Sequence, residues 1–99
     1  MIRFELTASA KRDLKEIARH TQMRWGRAQR NAYLQAMDRV FHMLAETPAI
    51  GRGCDAVRGG YRKFPHGAHM VFYNMQDDGI LLIVRILHAA MDVESNLGV

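Results

Sequence analysis

Cysteine occurs once in this chain, as Cys54, so an internal disulfide is impossible and a thiolate metal cluster cannot form. Lysine is nearly as scarce, with three residues against eleven arginines and none between Lys15 and Lys63. Long apolar runs are also missing. The longest, Ile80 to Leu87, is broken by Arg85, so no segment is expected to span a bilayer. Met1-Ile2-Arg3-Phe4-Glu5-Leu6 alternates apolar and polar residues and lacks the continuous apolar core of a secretion signal. Cytoplasm is the expected compartment. Positive charge is all but absent from the last third. Residues 64–99 hold one basic side chain and four acids, net −3, whereas residues 1–63 hold thirteen and six, net +7.

What is present fits one soluble domain over residues 1–99, with 48% hydrophobic and 24% charged residues; that length lies near the lower limit for a self-sufficient core. The bias toward arginine favours bidentate recognition of carboxylates or phosphates. Nucleic acid and an acidic protein segment are both partners for such a surface, and composition does not separate them.

Ile2, Phe4 and Leu6 alternate with Arg3 and Glu5, which predicts a short strand with one buried face. Thr7 or Ser9 can cap the helix that follows. In it Ala10, Leu14, Ile17, Ala18, Thr21 and Trp25 recur at three- and four-residue steps and form a core-facing stripe. Gly26 stops it. A second helix fits residues 27–46, with Tyr33, Met37, Val40, Phe41 and Leu44 inward and Thr47-Pro48 as its end. One glycine between two helices implies an antiparallel hairpin. Residues 47–57 read as a loop. Tyr61–Phe64, His69–Asn74 and Ile80–Leu87 read as strands of an antiparallel meander, turning at Pro65-His66-Gly67 and Asp77-Asp78-Gly79. A short helical turn is expected over 90–97, and the first strand is expected beside the last. The fold class is α+β, β-α-α-β-β-β, with the hairpin packed on a small, mainly antiparallel sheet.

Arg85 sits inside the most apolar strand and cannot lose its charge, so it must face water, a partner or an anion. Arg85 and His88 could serve RNA cleavage as electrostatic stabiliser and general acid, with Arg58, Arg62 and Lys63 as further cations. The acids at hand for such chemistry are Asp55 and Asp92. The alternative is a binding surface without catalysis. His66 and His69 are spaced H-x-x-H across a turn, which lacks the convergent third ligand a zinc site needs. Trp25 and Tyr33 bracket the helical turn, as core staples or as the walls of a pocket for a partner's side chain.

Leu6-Thr7, Ala10, Asp13-Leu14, Trp25-Gly26, Tyr33-Leu34, Gly60-Tyr61-Arg62, the run Gly67-x-His69-x-x-Phe72-Tyr73 and Val84-Arg85-Ile86-Leu87-His88-x-x-Met91-Asp92 together resemble the ParE toxins of bacterial toxin–antitoxin modules, within the RelE/ParE superfamily. The resemblance runs over nearly the whole chain and implies the β-α-α-β-β-β fold derived above. It implies a toxin that poisons DNA gyrase and blocks replication, a protein inhibitor rather than an enzyme, needing no cofactor or metal. It also implies neutralisation by a ParD-like antitoxin dimer, whose own domain makes any contact with operator DNA. The RelE branch instead cleaves mRNA on the ribosome. This chain keeps Arg85 but lacks that branch's lysine-rich second helix and a tyrosine after His88, which favours the gyrase reading. Arg85, His88, Met91 and Asp92 are the expected target-binding residues. Trp25, Tyr33, Arg58 and Arg62 are the expected antitoxin contacts.

Overall fold

A computed structural model describes residues 3–54 and 60–89. Arg58, Met91, Asp92 and the turn expected over 90–97 therefore lie outside the described residues. Strand β1 (Phe4–Leu6) leads into helices α1 (Ala8–Trp25) and α2 (Arg27–Glu46), then a 3₁₀ turn (Pro48–Ile50) and strand β2 (Arg52–Gly53). Strands β3 (Arg62–His66), β4 (His69–Met75) and β5 (Leu81–His88) follow. The sheet order is β1-β5-β4-β3-β2. The first strand does lie beside the last, and parallel to it, with Phe4, Glu5 and Leu6 opposite Leu81, Leu82 and Ile83. The other pairings are antiparallel.

Of the two candidate caps for α1, Thr7 is the one used. Its hydroxyl oxygen accepts from the Ala10 amide at 3.0 Å and donates to the Val84 carbonyl at 2.7 Å. One side chain thus starts the helix and fixes it to the central strand. Gly26 joins the helices at φ 92°, ψ 172°. That is not the left-handed helical conformation expected of a stop residue but a region open essentially to glycine alone.

Both helices cover one sheet face. Ala10 and Ile17 from α1 and Met37, Phe41 and Leu44 from α2 pack on Val71, Tyr73, Leu81, Ile83 and Ile86. The stripe assigned to α1 needs one correction: Trp25 is not core but 65% exposed. Inward packing fades along the helix, because Ile17 is its last buried residue and the Thr21 hydroxyl turns back to the Ile17 carbonyl at 2.7 Å. The end of α1 overhangs the sheet.

On the other face, Cys54, Tyr61, Phe72 and Leu87 form a second buried cluster, with Met70 and Val84 against it. A bulge makes both faces possible. Phe72 pairs with Arg85 but Tyr73 pairs with Ile83, so β5 holds one extra residue. Ile83 and Ile86, three apart, then share the helical face, while Val84 and Leu87 share the other.

Two loop assignments also change. Residues 47–57 are not simply a loop, because Pro48–Ile50 form a 3₁₀ turn and Arg52–Gly53 pair with Lys63 and Arg62. Tyr73 holds this segment: its hydroxyl donates to the Pro48 carbonyl at 2.7 Å and accepts from the Gly51 amide at 2.9 Å. A Cβ at position 51 would overlap that hydroxyl, so the turn can approach the sheet only as glycine. Pro65 and His66 belong to β3 rather than to the turn. His66 pairs with His69, which leaves Gly67-Ala68 as a two-residue hairpin loop with positive φ at the first position only.

Candidate functional site

β1 ends at Leu6, so it covers the outer edge of β5 only as far as Ile83. Beyond it the edge is taken over by α1. Arg85 donates to the Asp13 carboxylate through Nε to Oδ2 at 2.7 Å and Nη2 to Oδ1 at 2.9 Å. The same Oδ2 accepts from the Ile86 backbone amide at 2.9 Å. The carboxylate therefore satisfies both a guanidinium, in the bidentate geometry that favours arginine, and a strand-edge donor that β1 leaves open. The two side chains keep 22% and 14% of their surface exposed, and the carboxylate holds the Arg85 pKa above its ordinary value, chiefly by the hydrogen bond. Among the described residues the anion that Arg85 meets is Asp13. The sequence did mark it: Asp13 lies three residues after Ala10 and four before Ile17, on the border of the buried stripe of α1.

At the far end of β5 three histidines stand in a row across the sheet. His66 pairs with His69, and His69 with His88. The His69 and His88 rings are 5.7 Å apart, near edge to face. Tyr33 closes the row from α2, its hydroxyl 3.0 Å from the His66 carbonyl and 2.7 Å from His69 Nδ1. One hydroxyl proton cannot serve both. With Tyr33 donating to the carbonyl, His69 carries its proton on Nδ1 and donates back to the hydroxyl, leaving Nε2 as an acceptor. His66 Nε2 is buried with no hydrogen-bond partner. Burial first, then the neighbouring His88 and His66, hold the His69 pKa below its usual value, opposed weakly by Asp13. Among the described residues no three histidine, cysteine or acidic side chains converge as metal ligands.

An open groove of about 940 Å³ runs between the second half of α1 and this end of the sheet, lined by Ile17, Met23, Trp25, His69, Ile86 and His88 among others. Trp25 and His88, assigned to different partners from the sequence, thus share one groove. Arg62 stands apart from them. At the opposite end of β3 from His66, it donates to the Gly51 carbonyl at 2.8 Å and so helps Tyr73 hold the 3₁₀ turn. Met23, 76% exposed, and His20 also line the groove; their off-stripe positions resemble any solvated helix face, and only the overhang of α1 gives them a groove to line.

A family model described as the ParE toxin of the type II toxin–antitoxin system parDE matches residues 4–93. The chain belongs to the ParE toxin family. Toxin ParE1 of Mycobacterium tuberculosis is 41% identical to it over 95 residues, covering 96% of this chain and 97% of the relative. Toxin ParE1 of Caulobacter vibrioides is 34% identical over 96 residues, covering 96% and 97%. Among solved structures, the chromosomal ParDE system from P. aeruginosa superposes with a TM-score of 0.74 at 19% identity, covering 89% of this chain and 96% of that one. The RelBE2 toxin–antitoxin complex of Mycobacterium tuberculosis gives a TM-score of 0.61 at 19% identity, with 88% and 96% covered. Likenesses this distant in sequence speak for the fold alone. They match the α+β order derived from the residues.

Two outcomes follow from this geometry. Asp13→Ala removes the bidentate carboxylate from a mostly buried guanidinium and the acceptor from the Ile86 amide together, and is expected to lower the stability of this ParE-family chain by about 2–3 kcal/mol, read as a lower urea midpoint. Adding Arg85→Leu should recover part of the loss; a single variant as stable as the parent would show that the pair holds nothing. The second outcome concerns pH. His69 titrates below its unfolded value of 6.5, so between the two values the unfolded chain binds a proton that the native chain refuses. Stability should therefore fall as pH drops below about 6.5, and His69→Gln should flatten that fall. An unchanged slope in the variant would place the titration elsewhere.

Proposed function

We propose that this toxin arrests growth by binding and inhibiting DNA gyrase in the cytoplasm, without catalysis of its own, and that a ParD-like antitoxin neutralises it. The observation that carries the non-catalytic part is the Asp13–Arg85 pair. A ribonuclease of the RelE branch needs its strand arginine for the phosphate, and here that guanidinium is held bidentately by a carboxylate of the same chain. A nearby fixed anion also disfavours a second one. The target-binding residues are taken to be His88 at the end of β5 and, later in the sequence, Met91 and Asp92. Arg85 acts there by fixing the strand to α1. Among the described residues no helix is long and apolar enough to cross a membrane.

The antitoxin reading is supported by the outer edge of the sheet. β2 covers only Arg62 and Lys63 of β3, and beyond it Ile50, Arg52, Lys63, Phe64, Pro65 and Met70 line a pocket of about 320 Å³. Pro65 has no amide to offer a ladder, so a partner here is held mainly by side chains. An extended acidic segment suits the site, with apolar residues on Phe64 and Met70 and carboxylates on Arg52 and Lys63. Operator DNA is then contacted only through the antitoxin.

Purified toxin should inhibit supercoiling by gyrase and raise the amount of cleaved plasmid, leaving mRNA in a translating extract intact. Ribosome-dependent mRNA cleavage with gyrase untouched would overturn the gyrase reading in favour of the RelE-type one. For the antitoxin, charge reversal by Arg52→Glu with Lys63→Glu should slow association with a ParD-like antitoxin about tenfold or more at low salt. Unchanged association would move the antitoxin off this edge.

A further inference from the structure

Between Glu16 and Asp38 the sequence contains four arginines and no acid. In the fold this stretch becomes the overhanging tip of the helical hairpin, where residues 22–29 are all exposed. Arg19 is already paired with Glu16 at 3.0 Å. Arg24, Arg27 and Arg30 make no ion pair among the described residues, and Arg30 is held toward the tip by the neutral side chains of Gln22 and Asn31. Their charge is directed outward. Among them lies Trp25, 65% exposed, with the Arg24 guanidinium 5.5 Å from its ring centre. The indole forms one wall of the groove that His20 and His88 also line.

We propose that this tip binds single-stranded DNA, with Trp25 stacking on a base and Arg24, Arg27 and Arg30 holding the phosphates. Three features select a single strand. An exposed flat ring set among unpaired arginines is the arrangement that grips unpaired nucleic acid, where every base offers a π face. A duplex keeps its bases stacked and would leave the indole unused. An acidic polypeptide would meet the same arginines, but its side chains entering the groove would face the Glu16 carboxylate on the wall. A neutral base can instead donate an N–H to such a carboxylate, from its ring in thymine or from an exocyclic amine in the other bases. Strand binding stands independently of gyrase inhibition; only the choice of DNA over RNA rests on that reading.

Trp25 is the sole tryptophan of the chain, so its fluorescence reports the stacking directly. The full-length toxin, without antitoxin, is titrated with a twelve-nucleotide oligo-dT while indole emission and the anisotropy of a labelled strand are followed. Saturable binding should quench the indole, with an affinity that falls with salt at a log–log slope of about −2 for three phosphate contacts. Trp25→Ala should weaken binding about tenfold to a hundredfold with the slope preserved. Arg24→Gln with Arg27→Gln should flatten the slope by about 1.4. Both variants alter exposed residues, and unchanged thermal unfolding checks their folding. Absence of binding, or binding without quenching, would overturn the proposal. So would a duplex of equal length bound more tightly, or polyglutamate quenching the indole as strongly, which would mark the tip as an acidic-protein surface. An oligo-U of the same length bound more tightly than oligo-dT would overturn the assignment to DNA, whatever the gyrase assay gives.

Discussion

Everything on the helical side of this toxin depends on how α1 is held to the edge of β5. A three-residue β1 cannot cover an eight-residue central strand, and an uncovered edge in a small domain leaves buried donors and acceptors unsatisfied. Two side chains finish what β1 leaves undone. Thr7 takes the Val84 carbonyl and Asp13 takes the Ile86 amide and the Arg85 guanidinium. Helix α1 therefore behaves as a continuation of the sheet edge as well as a covering layer. Its axis is fixed at two points, Thr7 and Asp13, less than two helical turns apart, and the position of its far end follows.

That fixed axis creates the groove at the end of β5. Because the inward packing of α1 stops at Ile17 while the helix runs on to Trp25, the last two turns project past the sheet and open a groove against β5. The histidine row lies at the same end, where burial holds the His69 pKa low and Tyr33 of α2 meets its Nδ1 at 2.7 Å. The sheet end is thus built from all three partners of the fold, α1, α2 and the β4–β5 pair. A change in any one of them moves the groove wall.

The sequence displayed the elements better than their ends. Helix periods, the capping threonine and the glycine stop were visible because each is a local signal, and β5 was recognisable as central from its apolar run. Trp25 was misplaced because a three-to-four-residue period cannot show where the sheet beneath a helix ends. β2 was missed because two residues carry no period, and its hold on the sheet comes from Tyr73, twenty-two residues after Gly51. The bulge in β5 was hidden for a similar reason: a run apolar at nearly every position gives no alternation from which an extra residue could be noticed. The partner of Arg85 was legible in part. That Arg85 must face water, a partner or an anion followed from the strand; that it meets Asp13 needed the register between α1 and β5, over a separation of 72 residues.

The placement of charge separates the surfaces of the molecule by task. Arg85, the only basic residue after Lys63, is spent inside the fold on Asp13. Arg62 is turned inward on Gly51. Beside the exposed basic residues of the α1 face, such as Lys11, Arg12 and Lys15, two further groups stand on different elements, Arg52 and Lys63 at the β2–β3 edge and Arg24, Arg27 and Arg30 at the hairpin tip. β2 is the last strand of the sheet away from β1, whereas α1 fastens to β5 on the β1 side. One acidic segment bound along the sheet edge would leave the tip uncovered. On the proposed assignments, neutralisation at the edge and action at the tip and the β5 end call for different contacts, and a partner that blocks all of these surfaces must either be long enough to reach around the sheet or bury the β5 end itself.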